Sequence, residues 1–145
     1  MKALVIYDSV FGNTQKVADI IAKELKAKVL LVSDAPLDEL DGFDLIVVGS
    51  PINGWRPTEK IIAFLANLGS GRLKNVKAAA FDTRVRLFIH GDAAAKISQG
   101  LEKAGARIVA SPKAFFVRGK QGPLLDGEFE KAADWARAIE KSLNK

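Results

Sequence analysis

The chain has no cysteine among its 145 residues. This absence excludes a disulfide framework, a thiolate metal site and thiol redox chemistry, so any redox activity would require a bound cofactor. Histidine is nearly as scarce, because His90 is the only one. A single histidine with no cysteine does not form a metal-ligand pattern, and we predict no metal site.

A long hydrophobic run is also missing. The apolar stretch at residues 3–7 ends at Asp8 and is too short for a signal peptide or a membrane span. We therefore expect a cytoplasmic protein that does not enter a membrane. A hydrophobic fraction of 48% and a charged fraction of 27% are typical of a globular protein. The length predicts one domain over residues 1–145.

The formal net charge is +5, but the lysines and arginines are spread along the whole chain. Nucleic-acid binding usually concentrates basic residues in a patch or stripe, so we do not expect a nucleic-acid partner. A basic surface suits acidic patches on a protein partner. An ordinary solvated surface is the alternative.

Short apolar segments alternate with segments of helical periodicity. Apolar runs without polar alternation are typical of strands buried on both faces. Five strands are predicted, at residues 3–7, 29–32, 45–48, 78–81 and, as the last, 108–109 together with 114–117.

The intervening segments carry apolar residues at helical spacing. The predicted helix faces are Val17, Ile20, Ile21 and Leu25; Ile61, Ile62, Leu65 and Leu68; Ala94, Ile97, Leu101 and Ala104; and Phe129, Ala132, Ala133, Ala136 and Leu143. Predicted N-caps and helix ends are Thr58, Asp92 and Asp126, and Gly69 and Gly105. Trp135 falls among the apolar residues of the last helix and is assigned to the core.

The second crossover, residues 34–41, has room for about two further helical turns. Alternating strands and helices predict a doubly wound α/β domain, with a five-stranded parallel sheet between two helical layers. Ligands of such sheets bind beyond the carboxyl ends of the strands. The loops that follow the strands are therefore the places to search for a site.

The loop after the first strand, residues 8–15, has features that suit a phosphate. Ser9 and Thr14 supply hydroxyl groups, and Gly12 lets the backbone approach a ligand closely at the start of a helix. The loop lacks the lysine of a nucleoside-triphosphate loop and the three spaced glycines of a dinucleotide fingerprint. It therefore predicts a monophosphate site, with an ordinary strand-to-helix turn as the alternative.

Two further loops carry candidate ligand contacts. In residues 49–57, Trp55 lies outside any periodic pattern and has the ring area to stack on a flat aromatic ligand, unless it packs over its own loop. In residues 82–92, Arg84 and Arg86 are either ligand contacts or solvated charges. In the same loop, His90 is a surface residue or, alternatively, a catalytic acid or base.

The segment from Tyr7 to Thr14, followed by Gly49-Ser50-Pro51, resembles the flavodoxin pattern, and more closely the flavodoxin modules of flavo-diiron proteins. The resemblance covers nearly the whole chain. It implies a sheet order of 2-1-3-4-5 with FMN bound at the switch point. The segment that splits the last strand in long-chain flavodoxins is missing, which implies a short-chain type.

The resemblance implies an FMN site without catalytic residues. The first loop would bind the phosphate through Ser9, Gly12, Asn13 and Thr14, and residues 50–55 and 83–88 would flank the isoalloxazine ring. The complete set of expected FMN contacts is Ser9, Val10, Phe11, Gly12, Asn13, Thr14, Ser50, Pro51, Ile52, Asn53, Gly54, Trp55, Thr83, Arg84 and Phe88.

Three positions depart from the flavodoxin pattern. Phe11 stands where flavodoxins usually have a hydroxyl residue, which removes one phosphate contact. Asn53 stands where an aromatic residue is common, and Trp55 comes two residues later. The usual ring-covering tyrosine of the fourth loop has no counterpart, which leaves Phe88 as the aromatic candidate there.

The charge near the expected ring also differs, because flavodoxins tend to be acidic there and this chain has Arg56, Arg84 and Arg86. Reduced flavin carries negative charge, which nearby cations favour. We therefore expect a less negative potential for the second electron than in an acidic flavodoxin.

Of three candidate functions, we favour the first, an FMN-binding electron carrier, and keep the other two as alternatives. The first is electron transfer between protein partners with acidic patches, by a monomer or weak dimer. The second is an FMN-dependent oxidoreductase acting on a quinone or a nicotinamide, with Arg84, Arg86 and His90 near an anionic substrate. The third is an interaction module that has lost FMN, since fold alone does not fix function.

Overall fold

The computed structural model describes residues 1–86 and 91–143. In chain order the strands and helices are β1 (Ala3–Tyr7), α1 (Asn13–Leu25), β2 (Lys28–Leu31), β3 (Leu45–Pro51), α2 (Glu59–Ala66), β4 (Lys77–Val85), α3 (Ala93–Lys103), β5 (Arg107–Ile108), β6 (Lys113–Val117) and α4 (Glu128–Leu143). Two 3-10 helices, Val32–Asp34 and Leu37–Gly42, form the second crossover. Val32, expected at the end of the second strand, therefore belongs to this crossover.

All strand pairs of the sheet are parallel, and the strand order β2-β1-β3-β4-β5 confirms the predicted order. The count of five strands was wrong, because the last position is occupied by two short strands. β5 pairs with the first residues of β4, and β6 pairs with its last residues, from Phe81 to Val85. Only residues 109–112 separate β5 from β6, so no long insertion splits this edge.

Two central strands extend further than the apolar pattern predicted. β3 continues to Pro51 and β4 to Val85, with Ser50 opposite Asp82 in the pairing register. Strand pairing uses backbone groups, so it continues where the side chains turn polar. Residues 82–85, predicted to begin a loop, therefore lie in the sheet, and their side-chain positions are fixed by strand geometry.

The core lies on both faces of the sheet and confirms the three-layer arrangement. One cluster joins the sheet to α1 and α4, and the other joins it to α2, α3 and the second crossover. Trp135 is buried, as predicted, and meets Phe81 and Phe115 edge to face at centroid distances of 6.1 and 6.0 Å. Each such pair contributes about 0.5–1.5 kcal/mol beyond its buried area.

The predicted helix boundaries hold at three positions. Thr58 and Asp92 cap α2 and α3 by accepting hydrogen bonds from the backbone N–H groups of Ile61 and Ala95. Gly105 follows α3 at a φ of +103°, a left-handed conformation that glycine adopts readily.

Two predictions for α4 were wrong. The helix begins at Glu128, so Gly127 directly precedes it and Asp126 is not its cap. Phe129 is 48% exposed, whereas the predicted Ala132, Ala136 and Trp135 are buried and share the buried face of α4 with Glu128 and Ile139. Within the described residues, no helix combines the length and apolar content needed to cross a bilayer.

Candidate functional site

A cleft of about 270 Å³ opens at the carboxyl ends of β1, β3, β4 and β6. Its volume is close to the lower end of the ~300–1,000 Å³ range of small-molecule sites. The sequence-predicted residues that line it are Ser9, Val10, Phe11, Asn13, Thr14, Pro51, Ile52, Gly54, Trp55, Thr83 and Arg84. Val85, within the segment 83–88 expected to flank the ring, lines it too, and sequence reasoning missed Gly91, Val117 and Lys120, which complete the lining.

The first loop is held by hydrogen bonds of its own. The Asp8 carboxylate accepts from the backbone N–H of Ser9 at 2.9 Å and from the Thr58 hydroxyl at 2.6 Å. The Ser9 hydroxyl accepts from the backbone N–H of Gly12 at 3.0 Å. These bonds fix the path of the chain between β1 and α1, so the beginning of the helix is placed at the edge of the cleft.

The amino end of α1 is open toward a ligand. Gly12 precedes the helix at a φ of +92°, and a Cβ atom added there would meet no other atom within 4 Å. Among the described residues no side chain caps α1, and its first backbone bond runs from Lys16 N–H to the Gly12 carbonyl. The N–H groups of the first turn therefore lack intrahelical partners and, with the helix dipole, favour an anion.

Thr14 lies under this opening rather than at the surface. Its side chain is 1% exposed, and its hydroxyl lies 2.8 Å from the hydroxyl of Thr83 on β4. The pair ties α1 to β4 at the floor of the cleft. Either hydroxyl can act as the donor, so the pair can adjust to a ligand that accepts or donates a hydrogen bond.

The segment after β3 is a tight hairpin. Asn53 and Arg56 exchange backbone hydrogen bonds of 2.7 and 3.4 Å. Between them Gly54 and Trp55 both have positive φ angles, of +59° and +74°, as in a type I′ turn. A bulky residue at positive φ is strained, and such strain is common at ligand sites.

Trp55 is 56% exposed, so the hairpin does not bury its ring. The start of α3 lies against the same residue, because a Cβ atom at Gly91 would come within 1.7 Å of the Trp55 carbonyl oxygen. Only a glycine fits between the two segments in this arrangement. The Trp55 hairpin and the segment before α3 thus support each other along one side of the cleft.

Three predicted site residues have other positions. Ser50 is buried and stabilises the hairpin, since its hydroxyl accepts from Thr58 N–H and donates to the Pro51 carbonyl. Asn53 forms the base of the turn and, like Gly12, does not line the cleft. Phe88 and His90 lie outside the described residues.

A charged network lies behind the cleft at the end of β4. Asp82 is fully buried, and Arg84 donates to it from Nε at 2.8 Å and from a second guanidinium nitrogen. The same guanidinium contacts Asp92 at 3.0 Å. The backbone N–H of Ala94 also donates to Asp82, at 2.9 Å. These bonds join β4 to the beginning of α3.

Burial raises the pKa of Asp82, although the hydrogen bonds from Arg84 and Ala94 partly oppose the rise. Hydrogen bonding to Asp82 raises the pKa of Arg84, which stays charged. Of the two alternatives stated for Arg84, the solvated charge is excluded, since its side chain is only 11% exposed. Arg86 is exposed, with its guanidinium 5.0 Å from the centre of the Phe116 ring.

Sequence reasoning missed Asp82, because a polar residue after an apolar run was interpreted as the end of the strand. One signal was available. Asp82 and Arg84 are two residues apart, which places them on the same face of a strand, where opposite charges can pair. The Asp-x-Arg spacing could have predicted the ion pair if β4 had been extended.

Comparisons with known proteins agree with this architecture. A family model described as a flavodoxin domain matches residues 4–120. An uncharacterized protein of Methanocaldococcus jannaschii is 36% identical over 84 residues, which are 57% of this chain and 54% of that protein. The chain thus spans about half the length of this curated relative.

Two solved structures illustrate the similarity of fold. Oxidised flavodoxin 1 from Bacillus cereus superposes with a TM-score of 0.85 at 24% identity, covering 97% of this chain and 98% of that one. Rubredoxin oxygen:oxidoreductase from Desulfovibrio gigas gives a TM-score of 0.78 at 20% identity, covering 99% of this chain and 37% of that one. With the family match over most of its length, the chain belongs to the flavodoxin family.

Proposed function

We propose that this protein binds FMN in the cleft and carries electrons between protein partners. Membership of the flavodoxin family supports FMN-dependent electron transfer in general. The observation that carries the proposal for this chain is the arrangement of the cleft. The open first turn of α1 and the exposed ring of Trp55 both border it, so one cavity offers a phosphate site and a stacking surface.

The residues present fit FMN. At the phosphate end, Ser9 and Asn13 line the cleft beside the N–H groups of α1, and the bare Gly12 leaves room for the anion. At the ring end, Ile52, Trp55 and Val85 provide apolar surface. Bound FMN would supply the redox chemistry, since it accepts and releases electrons.

The side chains of the cleft would position FMN and exclude water from it. Trp55 would stack on the ring, and the Thr14–Thr83 hydroxyl pair would offer hydrogen bonds between the two ends of the cleft. Electron transfer of this kind needs neither a nucleophile nor a general base. The oxidoreductase alternative depended on Arg84, Arg86 and His90, but Arg84 is engaged with Asp82 and Asp92. Steady turnover with a reduced nicotinamide and a quinone would favour that alternative over the carrier.

The proposed partners carry acidic surface patches. The net charge of +5 and the exposed side chains of Arg56 and Arg86 would attract them over distances of about 10 Å at moderate ionic strength. We propose a monomer or weak dimer in solution. The less negative potential expected for the second electron now rests on Arg56 and Arg86, because carboxylates balance Arg84. A redox titration giving a strongly negative second potential would contradict it.

The decisive experiment is an FMN titration followed by flavin fluorescence. We expect binding of one FMN per chain with quenched emission. The Gly12→Asp variant places a carboxylate beside the phosphate and should weaken binding about 100-fold or more through charge repulsion. Gly69→Asp is the matched control, because Gly69 also has a positive φ, of +69°, and open space around its Cβ position.

Equal weakening in both variants would point to a general effect of an aspartate at positive φ and not to a phosphate at Gly12. Absence of binding at micromolar FMN would overturn the proposed function. The remaining hypothesis would then be an interaction module that has lost FMN.

A further inference from the structure

The loop between β6 and α4 contributes a basic side chain to the cleft. Val117 pairs with Leu124 across this loop, and Arg118 N–H donates to the Pro123 carbonyl at 2.9 Å. A tighter turn closes inside, where Gly122 N–H donates to the Gly119 carbonyl at 2.9 Å. Lys120 is the second residue of that turn, exposed and lining the cleft.

The same loop lies against the amino end of α1. A Cβ atom at Gly122 would come within 2.5 Å of the Asn13 side-chain oxygen, so the Gly122 backbone packs directly against the side chain of the first residue of α1. The loop therefore places Lys120 near the phosphate side of the cleft, next to the first turn of α1. A lysine stem has four methylene groups, which gives its ammonium group the reach to follow an anion in this region.

The first loop has no cationic side chain to offer a phosphate. Residues 8–15 contain neither lysine nor arginine, and the Phe11 side chain has no hydrogen-bond donor. Of the two cations that line the cleft in the described part of the chain, Arg84 is bound by Asp82 and Asp92. No ion pair of Lys120 is present within residues 1–86 and 91–143.

We propose that Lys120, held by the turn that packs on Asn13, recognises the phosphate of FMN and selects the phosphorylated flavin over riboflavin. The inference rests on the proposed function, because it assigns the phosphate of the same ligand to the same cleft. A phosphate monoester carries a charge of about −1.5 to −2 at neutral pH. A nearby ammonium therefore strengthens binding, and salt screens the attraction because Lys120 is exposed.

The test compares the dissociation constants of FMN and riboflavin for the wild type and Lys120→Gln, at about 10 mM and about 1 M salt. We expect Lys120→Gln to bind FMN about fivefold more weakly at low salt and riboflavin as well as the wild type does. At high salt the two proteins should bind FMN equally. Lys120→Arg keeps the charge and should retain most of the FMN affinity.

Lys103→Gln is the matched control, because Lys103 is an exposed lysine in the last turn of α3 and does not line the cleft. It makes the same change in net charge and should alter neither constant. Equal FMN affinity in wild type and Lys120→Gln at low salt, or equal weakening for both flavins, would overturn the role of Lys120 while leaving the FMN site intact. A wild type that binds neither flavin would overturn both proposals.

Discussion

The two polar segments at the cleft use their polar groups in opposite ways. In residues 8–14, the loop bonds to itself through Asp8 and Ser9 and leaves the amino end of α1 open. At the end of β4, Arg84 forms a hydrogen-bonded ion pair with Asp82 and a second ion pair with Asp92. The contrast shows that polar residues beside a cleft do not by themselves indicate ligand contacts. Their existing partners decide which segment serves the ligand and which serves the fold.

Removing the cation of Arg84 at the end of β4 should have the largest effect on the free energy of unfolding. Arg84→Met leaves the buried carboxylate of Asp82 without its counter-charge, with the Ala94 N–H as a remaining donor. We expect the free energy of unfolding to fall by about 3–5 kcal/mol at neutral pH, measured by urea denaturation. Arg86→Met is the matched control on an exposed side chain, and its change should stay within about 0.5 kcal/mol. Similar losses in both variants would contradict the account of the Asp82 network.

The effect of Arg84→Met on the free energy of unfolding should depend on pH. Because burial raises the pKa of Asp82 above its ordinary value, its contribution to stability is complete at low pH and is lost as the pH rises through the raised pKa. In Arg84→Met, the loss of stability with rising pH should be larger, because the charged form of Asp82 no longer has its counter-charge. The stability gap between wild type and Arg84→Met should therefore narrow as the pH falls and Asp82 becomes protonated. Denaturation curves across acidic and neutral pH measure this gap, and a gap that widens toward acid would contradict the prediction.

Trp55 allows binding and stability to be changed in opposite directions. Trp55→Gly removes the stacking ring and should weaken FMN binding about tenfold. It also replaces a bulky residue at a φ of +74° with one that adopts this conformation readily, so the free energy of unfolding should stay level or rise by up to about 1 kcal/mol. Fluorescence titration and thermal unfolding measure the two effects.

Asn75→Gly is the control for the backbone effect, because Asn75 has a φ of +71° and does not line the cleft. Its FMN affinity should equal that of the wild type. If Trp55→Gly bound FMN normally, the tryptophan would not be part of the ring site.

Ser9→Ala in residues 8–14 should lower stability much less than Arg84→Met does. The variant loses one hydrogen bond, from the Gly12 N–H, in a region that water can enter. Unfolding free energy should fall by about 0.5–1.5 kcal/mol in urea denaturation. A fall in unfolding free energy as large as that of Arg84→Met would contradict the proposed difference between residues 8–14 and the end of β4.

Local signals predicted much of the fold and of the open segment. The caps Thr58 and Asp92, and the buried apolar strands β1, β3 and β4, follow from short-range patterns that do not depend on distant partners, whereas β2 at the sheet edge has no buried residue. The first loop was recognisable because Ser9, Gly12 and Thr14 occur within six residues of one another. These groups were predicted together, and the structure brings Ser9 and Thr14 into one cleft with Gly12 beside them.

The errors occurred where distant contacts decide the structure. The strand pairing of β3 extends β4 through Asp82, although its side chain would suit a loop. Phe129 is exposed because the buried face of α4 is centred on Ala132, Trp135, Ala136 and Ile139, which places Phe129 beside this face. Lys120 was not predicted as a site residue because its position depends on the turn at Gly122 and on the contact of that turn with Asn13. No local pattern carries that information.

The most direct test of the central claim is an amide NMR titration of the protein with FMN. We expect the largest chemical-shift changes at the backbone N–H groups of Asn13 and Thr14 and at the indole N–H of Trp55. Changes centred on the separate groove lined by Lys113, Lys131 and Trp135, with none at the first turn of α1, would contradict it.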